Sequence, residues 1–297
     1  MPFASMPSLF HEIGVDKSHS VLHCRGRVLG LERPVVMGVL NVTPDSFSDG
    51  GKFIRLDDAV ERGVRMAEEG AAIIDVGGES TRPGAQAVGL DEELLRVIPV
   101  IARLRSRTQA ILSVDSSKPE VMHAAAAAGA AMINDVRALR EPGALEAAVA
   151  SGCAVCLMHM LGEPRTMQDS PGYEDVVTEV RLFFEQRVEA CLGAGLPAER
   201  IALDPGFGFG KTLEHNLQLL RHLGELSVNG LPILAGLSRK SMVGRLTGRP
   251  PDDRVYGSVA LAVIAALNGA GILRVHDVAA TVDALQVVAA VAPSRNM

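Results

Sequence analysis

The stretch AILSVDSSKPEVMHAAAAAGAAMIND, residues 110–135, decides the fold. An apolar run ends in an acid at Asp115, Pro119 opens an alanine-rich segment predicted as a helix over 118–128, and a second apolar run ends in Asn134 and Asp135. Proline is pre-organised for a first helical turn. Apolar runs without inside–outside alternation are those of strands covered on both faces, which is the pattern of a parallel sheet. Outward from this unit the same alternation continues in both directions. Strands are predicted at 35–40 (VVMGVL), 71–76 (AAIIDV), 110–115, 130–135, 153–158 (CAVCLM), 200–204 (RIALD), 232–237 (PILAGL) and 271–275 (GILRV). Helices are predicted near 57–69, 91–106, 118–128, 142–151, 174–194, 213–225, 256–268 and 277–291, with Pro142 in a first turn and Asp57, Ser117 and Asp277 as caps. Units averaging about 33 residues, eight of them, match a single α/β (β/α)8 TIM barrel of about 250 residues. A doubly wound open sheet is the alternative. The segment VLHCRGRVLGLERP, 21–34, predicts a short N-terminal hairpin turning at Arg25 and Gly26 and capping the barrel bottom. The chain is expected to be one domain, 1–297, with the barrel at about 34–292.

Composition narrows the function. The 29 Lys and Arg residues against 35 Asp and Glu give a net charge of −6, too acidic for a nucleic-acid partner that must be met by a basic surface. A 47% hydrophobic fraction supports a large core and excludes a disordered chain. The longest apolar run, 259–267, is too short to span a bilayer, and residues 1–20 carry no continuous apolar stretch. No membrane partner and a cytoplasmic location are therefore expected. Only four cysteines occur, which argues against a disulfide scaffold. Cys153 and Cys156 have CxxC spacing, but residues three apart on a strand face opposite sides, so they are expected to be buried strand cysteines and not a metal or redox pair.

The informative feature is what stands at the strand ends, because all eight open onto one face of a barrel and the active site sits there. Asn41, Glu79 to Arg82, Asp115, Asn134 with Asp135, His159, Asp204, Ser238 with Arg239 and Lys240, and Arg274 with His276 and Asp277 occupy those points. Such a gathering of amides, carboxylates and cations points to an enzyme. Asp115, Asn134, Asp204 and Lys240, pointing inward, can bind a flat, nitrogen-rich heterocycle edge-on. Arg82, Arg274 and His276 form a candidate anion site, since guanidinium is the preferred fork for phosphate oxygens. Arg274 and His276 are two apart and share a face. Asn41 can give a neutral oxygen to Mg²⁺ on a diphosphate. Two loops rich in Gly, Pro, Ser and Asp, 41–53 and 77–85, have the composition of lids. DPGFGFGKT, 204–212, misses the P-loop pattern because Pro205 stands where its first glycine belongs. It reads instead as a turn that sets Asp204 and Phe209 beside a ligand.

MGVLNVTPDSFSDGG, IIDVGGESTRPGA, SVDSSKPEV, INDVRAL, LMHM, LDPGFGFGK, GLSRKSMVG and RVHDV follow one another here in the order and spacing of the bacterial dihydropteroate synthase family. The resemblance covers about 35–288. It implies a transferase of folate biosynthesis, in which p-aminobenzoate displaces diphosphate from 6-hydroxymethyl-7,8-dihydropterin diphosphate. By that similarity Asp115, Asn134, Asp204 and Lys240 would hold the pterin, and Phe209 would line its pocket. Asn41 would bind Mg²⁺. Thr81, Arg82, Arg274 and His276 would contact the diphosphate or the region beside it. Phe47, Pro83 and Ser241 would shape the p-aminobenzoate pocket, and Asp45 would act from the first loop. The resemblance also implies a homodimer and susceptibility to sulfonamides. Two other readings remain open on the residues alone: a Schiff-base aldolase using Lys240, and a non-catalytic pterin-binding paralogue.

Overall fold

The computed structural model describes residues 21–42, 52–80, 87–162 and 171–291. Strands β1 (Val21–Cys24) and β2 (Arg27–Gly30) pair as an antiparallel hairpin. Eight parallel strands follow: β3 (Val35–Asn41), β4 (Ile73–Gly77), β5 (Ile111–Asp115), β6 (Met132–Asp135), β7 (Ala154–Met158), β8 (Ile201–Asp204), β9 (Ile233–Ala235) and β10 (Ala270–Val275). Each falls on one of the predicted runs. The last pairs with the first, from Ile272 opposite Val35 to Val275 opposite Gly38, so the sheet is a closed barrel and the open-sheet alternative is excluded.

The helices are α1 (Lys52–Glu68), α2 (Leu90–Leu104), α3 (Pro119–Ala128), α4 (Ala144–Ser151), α5 (Val176–Gly193), α6 (Leu213–Arg221), α7 (Ser241–Thr247), α8 (Val255–Leu267) and α9 (Val278–Val291). Sequence periodicity missed α7, whose seven residues are too few to show a period. Helix α1 begins inside the segment read as loop, so Asp57 lies within it and pairs with Arg103 instead of capping. Pro119 opens α3 as expected, but Lys118 is its N-cap and the Ser117 hydroxyl donates to the Asp135 carboxylate. Pro142 stands just outside α4, before the N-cap Gly143. The Asp277 carboxylate is taken by Arg239, while its carbonyl accepts from Thr281 N at 3.2 Å.

Two apolar layers hold the barrel together. Outside, strand residues such as Leu40, Ile74, Val114 and Leu203 pack against Ile101, Phe184 and other helix side chains. Inside, Met37, Ile73, Ile111, Met132, Leu234 and Ile272 stack onto Leu22, Cys24 and Leu29 of the hairpin, which thus caps the barrel bottom as predicted. Alternation along β7 and the turn before it sends Cys156 inward and Cys153 outward, into different layers. All four cysteines are free and buried, and burial pushes the Cys24 thiol up to about 12. The hairpin turn puts Arg25 at φ +48° and Gly26 at φ +79°, the paired left-handed backbone of a tight two-residue turn. Arg25 donates to the carbonyls of Ala126 and Ala130, and Arg27 to those of Gln109 and Ala110, which fastens the cap to the ends of α3 and of the α2–β5 connection.

Leu22 is fully buried between cap and barrel. Leu22→Ala is expected to cost about 2–5 kcal/mol of unfolding free energy, the usual range for truncating a buried leucine. Urea denaturation measures it, and a loss well under about 1 kcal/mol would show that the hairpin is not part of the core.

Candidate active site

Inward positions climb each strand two residues at a time, apolar at the bottom and polar at the top. On β4 the sequence is Ile73, Asp75, Gly77; on β5 it is Ile111, Ser113, Asp115; on β6, Met132 then Asn134; on β10, Ile272 then Arg274. Register aligns Gly77 with Asp115 and Asp115 with Asn134, so the polar groups meet at one level. Arg274 reaches past its neighbour β3: Nε donates to Asp75 Oδ2 at 2.7 Å and Nη2 to Asp115 Oδ2 at 2.7 Å. Asn134 Nδ2 donates to the same Asp75 oxygen at 3.0 Å. The guanidinium expected beside a diphosphate is thus held first by two carboxylates; its third nitrogen, Nη1, makes no hydrogen bond among the described residues.

The opposite wall is built by the β8–α6 turn. Asp204 Oδ1 accepts from Gly206 N at 2.7 Å. Gly206 has φ +65°, and a Cβ there would lie 2.0 Å from the His159 carbonyl oxygen, so only glycine fits. The turn closes around Lys211, whose ammonium is buried against the carbonyls of Gly206 (3.1 Å) and Phe209 (3.0 Å) and against His159 Nδ1 (2.9 Å). Burial pushes Lys211 down to about 7, with Asp204 opposing, and burial and Lys211 together push His159 down to about 2. A lysine turned inward in this way is no phosphate-binding P-loop lysine. Phe209 and Val136 both pack on the pair Met158 and Met160.

Lys240 comes from the β9–α7 turn. Arg239, before it, has φ +57°, a strained conformation for a side chain of its size, and is held there by a two-pronged pair with Asp277, Nε to Oδ2 at 3.0 Å. That pair turns Arg239 outward and Lys240 inward. Lys240 Nζ donates to the Phe207 carbonyl and stands 4.7 Å above the Phe209 ring centroid.

These groups share one electrostatic field. Burial raises Asp115 to about 7; Arg274 opposes the rise, and Asp75, Asp135 and Glu93 add to it. Burial lowers Lys240 to about 8, against the pull of Asp204. Burial also raises Asp204, with Lys240 opposing. Arg274 loses to burial but gains more from Asp75 and Asp115, and its affinity for its proton is raised.

The remaining expected residues lie around this centre. Asn41 ends β3 opposite Gly77. A Cβ on Gly77 would sit 3.7 Å from Asp115 Oδ2 and 3.8 Å from Asn41 Oδ1, so the glycine keeps open a gap flanked by two oxygens. No group of three or more His, Cys, Asp or Glu able to hold a metal occurs among the described residues. The Asn41 amide oxygen beside this gap suits a hard cation that brings its other oxygens from substrate and water. His276 N and Nδ1 lie 3.2 and 3.1 Å from Ser238 Oγ. Ser241 is exposed at the first turn of α7. Asp45, Phe47, Thr81, Arg82 and Pro83 lie outside the described residues. The stem of their second loop is tied down: Lys118 pairs with Glu79 at 2.6 Å and with the buried Glu93, and Arg96 donates to Gly78 O at 2.7 Å.

Sequence reading missed Asp75, Lys118 and Lys211. The signal for Asp75 was present: a carboxylate in phase with Ile73 and Gly77 inside an apolar strand must point into the barrel.

A closed barrel whose mouth gathers carboxylates, an amide and cations from separate strands defines an α/β-barrel enzyme. The chain belongs to the pterin binding enzyme family, whose model matches residues 37–276. Its similar proteins are dihydropteroate synthases. That of Escherichia coli K12 is 55% identical over 269 residues, 91% of this chain and 95% of the relative. Dihydropteroate synthase of Xanthomonas albilineans, solved with 4-aminobenzoic acid, is 57% identical with a TM-score of 0.88, covering 94% of this chain and 100% of the other. The same organism's enzyme solved with 7,8-dihydropteroate aligns at 54% identity and TM-score 0.85, over 93% of this chain and 100% of that one. The Yersinia pestis enzyme in a sulfonamide drug complex aligns at 57% identity and TM-score 0.87, over 91% and 98%.

The raised Asp115 gives a test of this field. Its carboxyl holds a proton in the native state between its ordinary value of 3.8 and about 7, where the unfolded chain has lost it. Its contribution to stability therefore falls as pH rises from about 4 to about 7, and is level above. Asp115→Asn is expected to match the parent in urea denaturation near pH 4 and to be the more stable form above pH 7. A gap that does not widen across that window would contradict the raised carboxyl.

Proposed function

We propose that this mouth performs the dihydropteroate synthase reaction of folate biosynthesis with the side chains described above. In that reaction the amine of p-aminobenzoate displaces diphosphate from 6-hydroxymethyl-7,8-dihydropterin diphosphate and gives 7,8-dihydropteroate. The observation that carries the reading is the gathering of Asp115, Asn134, Asp204 and Lys240 at one barrel mouth: Asn134 and Asp115 are joined through Asp75 and Arg274, and Lys240 shares its electrostatic field with Asp204, Asp115 and Arg274. Asp115, Asn134 and Asp204 take the ring N–H and amino groups of the pterin, Lys240 donates to a ring nitrogen or carbonyl, and Phe209 walls the ring.

The exocyclic methylene exchanges its C–O bond to diphosphate for a C–N bond to the arylamine, and the amine's proton leaves to solvent. Asp115 and Asp204 favour positive charge spreading from the methylene into the ring as the C–O bond loosens. Thr81, Arg82 and His276, with Arg274 Nη1, draw off the charge growing on the diphosphate. Mg²⁺, held by Asn41 and the diphosphate oxygens, would add neutralising charge at the leaving group. Phe47, Pro83 and Ser241 orient the p-aminobenzoate, and Asp45 acts from the first loop, so that loop closure excludes water. The arylamine is neutral at pH 7 and already nucleophilic, so Lys240 is not required to form a Schiff base. This order of events puts pterin diphosphate on the protein before p-aminobenzoate.

A homodimer is supported by exposed apolar side chains on the last two helices, Ile264 and Leu267 on α8 and Val287 and Val291 on α9. A cytoplasmic location is supported by four free cysteines. No helix among the described residues is long and apolar enough to cross a membrane.

A coupled assay should detect diphosphate release that needs both p-aminobenzoate and Mg²⁺, with a sulfonamide competing against p-aminobenzoate. Release independent of the arylamine would sink the reading, as would borohydride trapping of a carbonyl substrate on Lys240. Lys240→Ala should weaken pterin diphosphate binding about 10- to 100-fold in calorimetry, the worth of one charged hydrogen bond. Asp45→Ala should bind pterin diphosphate normally and turn over more slowly; an unchanged rate would remove the first loop from the chemistry.

A further inference from the structure

A cavity of about 550 Å³ opens beside the mouth, between the β6–α4 loop, the end of β7 and Phe183 of α5. Alternation past Cys156 and Met158, which face the lumen, turns His159 outward, so this space lies outside the ring of strands. None of its described wall residues belongs to the pterin-binding set. Two of them carry donors that the protein itself leaves unused.

The first is His159, which is 6% exposed, its ring centroid 4.9 Å from that of Phe183 and nearly perpendicular to it. Its Nδ1 faces the Lys211 ammonium at 2.9 Å. An ammonium has no lone pair, so Nδ1 accepts and the ring proton sits on Nε2. That N–H has no partner among the described residues and is not one of the buried unpartnered atoms, so it reaches open space, and the space that His159 borders is this cavity. The second is Arg140. Its Nε donates to the Arg137 carbonyl at 3.0 Å, and its Nη1 and Nη2 make no hydrogen bond among the described residues. That edge of a guanidinium grips an oxyanion with two parallel bonds. The guanidinium stands 5.5 Å from the Phe183 ring centroid, close enough to His159 to disfavour a charge on its ring. The acid on the described wall, Glu141, is taken by Arg137 at 2.9 Å.

The loop that carries Arg140 is held in a costly shape. Ala138 and Leu139 are both left-handed, at φ +54° and +56°. The Asp135 carboxylate accepts from Leu139 N at 2.7 Å, and Arg187 of α5 donates to the carbonyls of both residues at 3.0 and 3.3 Å. Two consecutive side-chain-bearing residues keep such a backbone only where neighbours enforce it.

We propose that this cavity binds a small organic carboxylate with an apolar body, the carboxylate on Arg140 and His159 Nε2 and the body against Met160, Leu161 and Phe183. The charge follows from two converging donors with the Lys211 ammonium behind them. The body follows from the walls: a bare phosphate would fill a small part of the volume and leave three apolar side chains uncovered.

The probe is benzoate, titrated into the protein without other ligands and followed by the protein's amide NMR shifts near pH 6, below the Lys211 value of about 7. Acetate, inorganic phosphate and benzamide serve as comparisons. Benzoate should bind about tenfold or more tighter than each, since each lacks either the body or the charge. Arg140 is exposed, so Arg140→Gln should fold; it should weaken benzoate about tenfold or more and leave diphosphate release unchanged. Lys240→Ala should leave benzoate binding as it is. Benzoate that fails to bind, or binds Arg140→Gln as well as the parent, overturns the proposal. So does loss of binding in Lys240→Ala, which would place benzoate in the mouth, and so does phosphate or benzamide matching benzoate. The proposal stands apart from the pterin reading: benzoate held through Arg140 in a protein that releases no diphosphate would sink that reading alone.

Discussion

A guanidinium fixed between two carboxylates inside a closed sheet organises the upper half of this barrel. Arg274 crosses from β10 to Asp75 on β4 and Asp115 on β5, and Asn134 joins through Asp75. Burying three charges at that depth is tolerable only because each is met by another, and removing one partner leaves the rest uncompensated. The cluster therefore constrains its members together. It leaves Asp115 short of full compensation, since a single cation is shared by two acids. Burial raises the Asp115 carboxyl and depresses the Lys240 ammonium, and the opposite charges nearby offset each shift only in part. A ligand that brings N–H groups and accumulates positive charge as it reacts adds compensation to these acids.

Around this fixed centre, the turns are held by contacts that point away from the substrate. Lys211 draws three carbonyls of the β7 and β8 ends inward, and the Gly206 backbone fits against His159 with no room for a side chain. Arg239 adopts a left-handed backbone under the pull of Asp277, which leaves Lys240 facing the opposite way. The second loop is anchored at Gly78 and Glu79 by Arg96 and Lys118. Lys211 and Arg239, charged side chains outside the binding set, fix the turns that carry Asp204 and Lys240, as preorganised sites require.

Most of the fold was legible because its signals are local. Eight apolar runs, Pro119, and the turn at Arg25 and Gly26 each follow from the chemistry of a few consecutive residues. The misses have equally local causes. Helix α7 is too short for periodicity, α1 starts among residues whose composition reads as loop, and Ser117 found a stronger partner in Asp135 than the orphan N–H groups of α3. At the site, strand-end position revealed Asp115, Asn134, Asp204 and Lys240, but not their connectivity. Arg274 read as an anion ligand because guanidinium suits phosphate oxygens and it shares a face with His276. Only the register across β10, β3, β4 and β5 brings it against Asp75. Asp75 itself was overlooked because it precedes the end of its strand and so lies beneath the rim.

The hairpin under the barrel has a bearing on chemistry at the far end. Leu22, Cys24 and Leu29 stop the inner column from below, and the apolar layer above them lies directly under Asp75 and Arg274. Coulombic forces in such a column are strong because its base is closed to water. A leak through the base would admit a polarisable solvent column and weaken every charge–charge coupling above. The amino-terminal strands thus act as an electrical insulator for a reaction they never touch.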